Sequence, residues 1–340
     1  MTVRDAIARL SEGRSLTEDE MAEVIGEVMD GAATPAQIGA LLVLLRRNGE
    51  TVDEITGAAR AMRARVTPVR IESAVVLDTC GTGGDRQGTF NISTAAAIVA
   101  AATGCTVAKH GNRAMSGAVG GADVLEQLGV RIDVEPARAE VILREVGFGF
   151  LFAPKFHTAM KHAAGPRRDL GVRTIFNLLG PLTNPAGARH QLLGVFDAAW
   201  LEPMAAVLQR LGSVHAMVVH GEDGLDEVSL TAATQVAELR DGSIRRYRIE
   251  PEDFGLTRCS IEDLQVKSAG QSAAVIRRIL DGEPGPSRDV VVLNAGAAIY
   301  VADAAATIAA GMKQAREAID GGGAQRLLER VVRASTESAG

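Results

Sequence analysis

The 340-residue sequence contains 36 Lys and Arg against 42 Asp and Glu, which gives a formal net charge of −6 at pH 7. With 46% hydrophobic and 23% charged residues, it has the composition of a globular protein that is long enough for one large core and a smaller lobe. The acidic balance argues against a general nucleic-acid binder. A chain of this charge that binds an anionic ligand must concentrate positive side chains locally.

The cysteines and the apolar stretches bear on the cellular compartment. Cys80, Cys105 and Cys259 are odd in number and form no Cys-x-x-Cys pair, so the sequence predicts neither a disulfide framework nor a zinc site and indicates a reducing compartment. Charged side chains interrupt residues 1–14, and no uninterrupted apolar stretch is long enough to span a membrane. We therefore expect a cytoplasmic protein without a membrane partner.

Residues 1 to about 72 show helical signals and no strand pattern. Thr17 precedes an acidic first turn, Thr34 precedes Pro35, and Asp53 and Glu54 open a third helix. Apolar residues recur at helical spacing between positions 38 and 45, in a stripe that suits the core of this lobe or, as the alternative, a subunit interface. We predict an N-terminal helical domain over residues 1–72.

From residue 73 onward, short apolar strands alternate with helical stretches, which predicts a mostly parallel sheet covered by helices. The segment 160–188 is polar and punctuated by proline, and we expect it to cross back to the helical domain, so that a cleft lies between the lobes. The predicted α/β domain then comprises residues 73–159 and 189–340. The predicted strands are 75–78, 106–108, 148–152, 192–196 and 216–220, and the predicted helices between them are 95–103, 122–128, 137–145 and 201–211.

The first predicted strand runs into a glycine-rich loop from Gly81 to Asp85, and Asn91 to Thr94 then opens an alanine-rich helix. Glycines let a backbone approach a ligand closely, and the N–H groups at a helix start favour an anion such as phosphate. The loop has neither the third glycine of the dinucleotide fingerprint nor the Gly-Lys-Ser/Thr of a P-loop. Taken alone, it is as compatible with a tight connection as with a phosphate site.

A second strand-to-loop segment follows the alanine-rich helix. It runs from Thr106 into a stretch from Lys109 to Arg113 that is crowded with hydrogen-bond donors, and then into Ser116 and Gly117. Because ligands of α/β sheets bind beyond the carboxyl ends of the strands, the two segments predict one phosphate or pyrophosphate site.

An acidic run follows a later strand. Asp226 and Glu227 come after Gly221 and Gly224, which permit the chain to turn so that both carboxylates serve one cluster. Oxygen ligands of this kind suit Mg²⁺, which also takes water and phosphate oxygens. A solvated acidic turn is the structural alternative.

Two arginines lie in the proline-punctuated segment. The guanidinium of Arg167 or Arg168 can hold a carboxylate through two parallel hydrogen bonds. An exposed salt bridge is the alternative for each, and we expect Arg168 to be structural.

These motifs occur together in one family. The sequence resembles the anthranilate phosphoribosyltransferases from its first helices to its C-terminus, through segments in the family's order and spacing: Gly81 to Asp85, Asn91 to Thr94, Lys109 to Arg113, and Arg173 to Pro185. The resemblance implies an α/β fold with a small all-helical lobe plus a larger lobe with a mostly parallel central sheet flanked by helices. It also implies transfer of the phosphoribosyl group of 5-phosphoribosyl 1-diphosphate (PRPP) to the amine of anthranilate, in tryptophan biosynthesis. Mg²⁺ as cofactor and a homodimer formed through the N-terminal helical domain are further implications.

The resemblance also implies roles for individual residues. The implied catalytic residues are Lys109, His110 and Arg113. The implied PRPP-binding residues are Gly81, Gly84, Asp85, Thr89, Asn91, Ile92, Ser93, Thr94, Lys109, Gly111, Asn112, Arg113, Ser116, Gly117 and Gly121. The implied anthranilate-binding residues are Gly81, His110, Asn112, His157, Arg167 and Gly180. The implied metal ligands are Ser93, Asp226 and Glu227.

The sequence departs from the family in the loop from Ala118 to Gly121, where many members carry a lysine and two serines. We expect weaker diphosphate binding rather than a different reaction, because backbone N–H groups can still donate there. Two alternatives share the architecture. A pyrimidine nucleoside phosphorylase would cleave thymidine or uridine with orthophosphate. A non-catalytic nucleic-acid-binding relative would bind DNA in a salt-sensitive manner, and the net charge disfavours it.

Overall fold

The computed structural model describes residues 1–85, 87–113 and 119–337. The predicted PRPP contacts Ser116 and Gly117, and Ala118 of the divergent loop, lie outside these residues. Within the first 72 residues, four helices form an N-terminal lobe: α1 (Val3–Ser11), α2 (Glu18–Met29), α3 (Pro35–Asn48) and α4 (Val52–Arg63).

A reciprocal threonine cap starts each helix of this lobe. The threonine side chain accepts a hydrogen bond from the N–H three residues on, and the side chain at that position accepts from the threonine N–H. The helix starts predicted at Thr17 and Thr34 are confirmed. The next helix begins at Val52, with Thr51 as its cap, slightly before the predicted Asp53.

The rest of the described chain alternates strands and helices. The strands are β1 (Leu77–Gly81), β2 (Val107–Gly111), β3 (Phe148–Phe152), β4 (His190–Gly194), β5 (His215–Gly221), β6 (Thr234–Arg240) and β7 (Ser243–Ile249). The helices are α5 (Ile92–Ala102), α6 (Gly121–Gln127), α7 (Pro136–Val146), α8 (Ala153–Phe156), α9 (Lys161–Leu170), α10 (Ile175–Leu179), α11 (Leu201–Arg210), α12 (Ala269–Leu280), α13 (Pro286–Val301), α14 (Ile308–Asp320) and α15 (Gly323–Thr336). Across the described ranges, no helix has both the length and the apolar character needed to cross a bilayer.

The strands of the described chain form one sheet in the order β3-β2-β1-β4-β5-β6-β7. The first five in this order are parallel, and β6 and β7 are antiparallel to their neighbours. The predicted mostly parallel sheet is therefore confirmed. The chain moves outward from β1 to β3 and then returns to place β4 on the other side of β1, which creates a topological switch point between β1 and β4. Ligands of open α/β sheets bind beyond the carboxyl ends of the strands at such a point.

The β6–β7 hairpin is absent from the sequence prediction, which gave no strand after residue 220. Asp241 and Gly242 connect the two strands with φ values of +51° and +70°. Two successive left-handed residues form the tight turn that hairpins prefer, and an Asp-Gly pair is its usual sequence. That pair is the signal by which the hairpin could have been found.

Alternate residues of the central strands face two separate cores, as a pleated strand requires. Leu192 and Met217 pack with α5 and α13 on one face. Leu193 and Val218 pack on the other face with α11 and the N-terminal helices. The helical lobe is thus attached directly to the sheet.

The segment after β3 returns to the helical lobe. Helix α9 packs against α2 and α3, and α10 packs against α3 and α4. Ile175 and Leu179 of α10 belong to the same buried cluster as Leu41 of α3 and Ile55 of α4. This part of the chain therefore contacts the helical lobe, as the sequence predicted. The exact domain boundaries stay predictions.

Helices α2 and α4 touch at Gly57, which is buried. A Cβ atom at this position would lie 2.1 Å from the Glu18 carbonyl oxygen and 3.0 Å from Met21 Cβ. Because one of these neighbours is rigid backbone, the absence of a side chain at Gly57 sets how closely the two helices approach.

We predict that Gly57→Ala lowers the free energy of unfolding by about 1–3 kcal/mol, because the added methyl group forces α2 away from α4. Gly270 on α12 provides the control, since a Cβ there would lie at ordinary contact distances of 3.8 Å from Gln127 Oε1 and 3.9 Å from Ser268 Oγ. Gly270→Ala should stabilise by less than about 1 kcal/mol through helix propensity. Urea denaturation followed by circular dichroism measures both changes, and effects of equal sign and size would contradict the close contact.

Candidate functional site

The carboxyl ends of β1 and β4 lie side by side at the switch point, and both strands end in glycine. Gly81 pairs with Gly194 across the two strands. A Cβ at Gly81 would lie 2.5 Å from Asp226 Oδ2, and one at Gly194 would lie 1.5 Å from the Asp226 carbonyl oxygen. The two glycines therefore make room for Asp226, and the acidic loop lies directly against the end of the sheet.

The glycine loop after β1 is held by β4 and by the acidic loop. The Thr82 N–H donates to the Gly194 carbonyl at 2.9 Å, and the Gly83 N–H donates to Asp226 Oδ2 at 3.0 Å. Gly83 and Gly84 have φ values of +68° and +80°, which glycine adopts without strain. The shape of this loop therefore depends on its glycines.

The start of α5 lies against the same edge of the sheet. Asn91 caps the helix, since its Oδ1 accepts a hydrogen bond from the Thr94 N–H at 3.0 Å. The Ser93 N–H donates to Glu227 Oε1 at 3.0 Å. The helix N-terminus therefore donates to a carboxyl group of the protein itself in this structure.

Lys109 is buried at the end of β2, and its ammonium group reaches β1 and α5. It donates to the Thr79 carbonyl and to Ser93 Oγ at 3.2 Å. Burial lowers the pKa of Lys109, while the nearby Asp78 carboxylate favours the charged form. The structure thus joins Lys109, Ser93 and Glu227 in one cluster. The motifs predicted that Lys109 and Ser93 share a site, and the family resemblance implied the place of Glu227 beside Ser93.

Asp78 and Asn184 support this cluster, and sequence reasoning gave neither a role. Asp78 is fully buried in β1; it accepts from the His110 N–H at 3.2 Å and from Asn184 Nδ2 at 2.8 Å. Asn184 Nδ2 also donates to the Ala108 carbonyl at 2.8 Å. Burial raises the pKa of Asp78 to about 6, and the charge of Lys109 opposes that rise. Asn184 therefore ties β1 to β2 directly beneath the site.

The acidic loop between β5 and β6 turns so that Asp226 and Glu227 both face the sheet edge. Gly224 has a φ of +90°, and its N–H donates to the Gly221 carbonyl at 2.8 Å. Asn294 of α13 anchors the following residue, because it accepts from the Val228 N–H at 2.9 Å and donates to its carbonyl at 2.8 Å. The turn that Gly221 and Gly224 permit is therefore present.

The carboxylates of this loop repel one another. Burial and then the charge of Asp85 raise the pKa of Asp226, and burial and then the charge of Asp226 raise the pKa of Glu227. No group of three or more His, Cys, Asp or Glu within the described ranges has the arrangement of a metal site. The oxygens of Asp226 and Glu227 nevertheless fit Mg²⁺, because this ion commonly takes one or two protein carboxylates and completes its shell with water and phosphate oxygens.

Two histidines lie next to each other beside Gly180. The rings of His110 and His157 have centroids 5.0 Å apart, and His110 Nδ1 donates to the Gly180 carbonyl at 3.2 Å. The Nε2 atoms of both rings are buried, and neither has a hydrogen-bond partner among the described residues. Burial lowers the pKa of His110 to about 3 and that of His157 to about 4. Both rings are therefore neutral at pH 7 and present an unpaired acceptor.

Arg113, in contrast, is bound to acidic side chains of α6. Its guanidinium donates to Asp123 at 2.9 Å and to both carboxylate oxygens of Glu126 at 2.6 and 2.7 Å, and it lies 5.8 Å from the Phe152 ring. The structure therefore does not join Arg113 to the Lys109 cluster, and its catalytic role stays a prediction.

The other predicted residues lie on several elements of the described chain. Gly121 starts α6, and a Cβ there would lie 3.3 Å from Thr94 Oγ1 and 3.8 Å from Lys109 Cε. Thr94 Oγ1 is buried, without a partner among the described residues. Arg167 of α9 is partly buried, with its guanidinium 5.0 Å from the Phe176 ring. The remaining predicted PRPP residues are Thr89, which bridges to Gln265, Ile92, the first residue of α5, Gly111, the last residue of β2, and Asn112, which accepts from the Arg113 N–H.

A glycine loop, a buried lysine and two carboxylates at the switch point of an α/β sheet are typical of an enzyme that binds a phosphorylated substrate. Family models described as the helical bundle domain and the a/b domain of the glycosyl transferase family match residues 4–66 and 73–325. The anthranilate phosphoribosyltransferase of Thioalkalivibrio sulfidiphilus is 57% identical over 98% of each chain.

Solved structures agree over nearly the whole length. Anthranilate phosphoribosyltransferase from Thermus thermophilus has a TM-score of 0.93 and 47% identity, and the match covers 98% of this chain and 100% of that one. The Saccharomyces cerevisiae enzyme in complex with PRPP and Mg has a TM-score of 0.90 and 26% identity over 98% of each chain. The chain belongs to the anthranilate phosphoribosyltransferase family.

We predict that acidification destabilises the fold in part through His110 and His157. Their pKa values in the folded protein are about 3 and about 4, whereas an unfolded histidine titrates near about 6.5. Between these values the unfolded chain binds more protons, so the free energy of unfolding falls as the pH drops below about 6.5. The expected loss is about 2 kcal/mol per histidine between about pH 8 and pH 5.

His110→Gln tests this sign and size. Glutamine retains a hydrogen-bonding side chain but takes up no proton, so the variant should lose about 2 kcal/mol less than the parent between the same pH values, whatever the substitution costs at pH 8. Urea denaturation across a pH series measures the difference. If the free energy of unfolding changed with pH by the same amount in parent and variant, the burial of a neutral His110 would be contradicted.

Proposed function

We propose that this protein transfers the phosphoribosyl group of PRPP to the amine of anthranilate, giving N-(5-phosphoribosyl)anthranilate and pyrophosphate. The proposal rests on two groups of residues that lie at the same edge of the sheet. One group would bind the diphosphate of PRPP, and we call it the anion-binding half; the other would bind anthranilate, and we call it the acceptor half. The glycine loop, Lys109 and the carboxylates Asp226 and Glu227 form the first. The unpaired Nε2 atoms of His110 and His157 belong to the second.

The diphosphate of PRPP would bind along the glycine loop, with Lys109 beside it. Negative charge develops on the diphosphate as its bond to the ribose C1 breaks, and a fixed cation in a buried site stabilises that charge. The buried Lys109 ammonium is held by Thr79 and Ser93, so little reorganisation is needed when the charge appears. Gly121, which is close to both Lys109 and Thr94, leaves space for the substrate beside this ammonium.

Asp226, Glu227 and Ser93 would hold Mg²⁺. When bound, Mg²⁺ would neutralise charge on the leaving pyrophosphate. The support from the chain itself is the mutual repulsion of Asp226 and Glu227, which a cation relieves, and the Ser93 hydroxyl close to both Lys109 and the Glu227 contact. The relative solved with PRPP and Mg supports the use of Mg²⁺ by this family.

The acceptor half would orient anthranilate without removing a proton in advance. A neutral His110 or His157 Nε2 accepts a hydrogen bond from the amine N–H, which aims the nitrogen lone pair at the ribose carbon. The Arg167 guanidinium would hold the carboxylate of anthranilate, and Asn112 and Gly180 would make further contacts with it. Orientation of this kind supplies up to about 7–11 kcal/mol in the best aligned cases.

The assembly of the protein is part of the same proposal. We infer a homodimer formed through the helical lobe, because α3 exposes 45% of Val43 next to the partly buried Leu44, and a dimer interface would cover this apolar face. We also retain the domain division of residues 1–72 with 160–188 against the remainder. The cytoplasmic location and the lack of a nucleic-acid partner stay predictions from composition.

The fluorescence of anthranilate provides the direct test. Signal should fall with time when protein, PRPP and Mg²⁺ are all present, and it should stay constant when any one of them is omitted. A constant signal in the complete mixture, from protein with an intact circular dichroism spectrum, would overturn the proposal. Cleavage of thymidine by orthophosphate would then favour the nucleoside phosphorylase alternative.

Arg167→Met should raise the KM for anthranilate about 10-fold or more and leave the KM for PRPP within about twofold. The reason is that a charge-assisted bidentate contact contributes about 1.5–3 kcal/mol. Arg168→Met is the matched control, because Arg168 is the next residue on the same helix and is exposed. Steady-state kinetics with each substrate varied in turn gives both constants, and equal changes from the two variants would refute the contact.

A further inference from the structure

Arg173 lies where the segment that returns to the helical lobe meets the glycine loop. Its guanidinium donates a hydrogen bond to the Gly84 carbonyl and stacks on the Phe196 ring, with its central carbon 3.8 Å from the ring centroid. The Phe196 N–H in turn donates to Thr82 Oγ1 at 3.2 Å. Arg173 therefore contacts the loop directly at Gly84 and indirectly, through Phe196, at Thr82.

The hydrogen bond from Arg173 to the Gly84 carbonyl also sets the direction of the next backbone N–H group of the loop. A peptide group is planar and trans, so fixing the Gly84 carbonyl also fixes the Asp85 N–H on the opposite side of the same peptide. A Cβ at Gly84 would lie 2.4 Å from Arg173 Nη2, so this approach requires glycine. Asp226 holds the neighbouring Gly83 N–H. The Thr82–Gly83 and Gly84–Asp85 peptides of the loop are therefore anchored from separate segments.

The backbone of Arg173 is itself held by the helical lobe. Arg46 of α3 donates from Nη1 to the Arg173 carbonyl at 2.6 Å. A continuous chain of contacts thus runs from α3 through Arg173 to Gly84. The planar guanidinium suits this place, because it stacks on an aromatic ring while its edge donates hydrogen bonds, which a lysine ammonium cannot reproduce.

We propose that Arg173 is a positioning residue for the diphosphate loop, and that Arg46 makes the position of this loop depend on the helical lobe. The inference rests on the proposed function, since it takes residues 82–85 as the loop that binds diphosphate. Arg173 acts on PRPP through the loop, and anthranilate binding does not depend on it.

Arg173→Lys and Arg173→Met test the first part, with Arg168→Met as the control on the same segment. Both Arg173 variants should raise the KM for PRPP at least 10-fold and leave the KM for anthranilate within twofold, whereas the control should change neither. Calorimetric titration with PRPP and Mg²⁺, without anthranilate, should show the same loss of affinity. Unchanged affinity for PRPP, or an equal rise in both KM values, would overturn the proposal. If the methionine variant does not fold, the lysine variant decides.

A double-mutant cycle tests the second part. Arg46→Ala should raise the KM for PRPP about threefold in the parent, and it should have no further effect once Arg173 is methionine, because the path to the loop is already broken. Additive effects would mean that Arg46 acts by another route and would overturn the link to the helical lobe.

Amide hydrogen exchange separates this inference from the proposed function. In the protein without ligands, residues 82–85 should exchange faster in both Arg173 variants than in the parent and the control. Unchanged exchange would overturn the anchoring even if the parent transfers phosphoribosyl groups. A parent without transferase activity but with faster exchange in the variants would refute the proposed function alone.

Discussion

Two hydrogen bonds from backbone N–H groups to carboxylates hold the site together. Asp226 accepts from Gly83 in the glycine loop, and Glu227 accepts from Ser93 at the start of α5. One acidic loop is therefore bonded both to the glycine loop and to the helix start that follows it, the two parts of the first segment that was expected to bind phosphate. The glycines at the ends of β1 and β4 make this contact possible, because a side chain at Gly81 or Gly194 would occupy the space of Asp226. The topology brings the segments to one edge, and these bonds fix their spacing.

The second constraint is the balance of charge below the site. Lys109 and Asp78 are both buried, and an isolated charge in such a place would be costly. Each charge favours the ionised form of the other, and the remaining hydrogen-bonding capacity is used by Thr79, Ser93 and Asn184. This balance explains how an acidic protein can hold a buried positive group at the end of a strand. The positive charge of Lys109 lies at the end of β2, and the buried carboxylate of Asp78 balances it.

The sequence predicted the parallel strands β1 to β5 and the residues that carry a local signal, but it did not predict the β6–β7 hairpin. The threonine caps and the turn before Asp226 depend on neighbours within a few residues. The parallel sheet was predicted from the alternation of strands and helices along the chain. Asp78 and Arg173 had no such signal, because their roles depend on segments about 30 to more than 100 positions away. The hydrogen bonds from Arg113 to α6 could not be predicted either, because they depend on how a later helix packs.

The arrangement of charges makes the binding of a cation and of a diphosphate mutually dependent under the proposed function. A diphosphate alone would approach Asp85, Asp226 and Glu227, and like charges at these distances repel strongly where water is excluded. A cation alone would relieve that repulsion but would approach the ammonium of Lys109. Together they present alternating charges, with the cation against the carboxylates and the diphosphate between the cation and Lys109. The two ligands therefore share one coupling free energy, and each raises the affinity of the site for the other by the same factor.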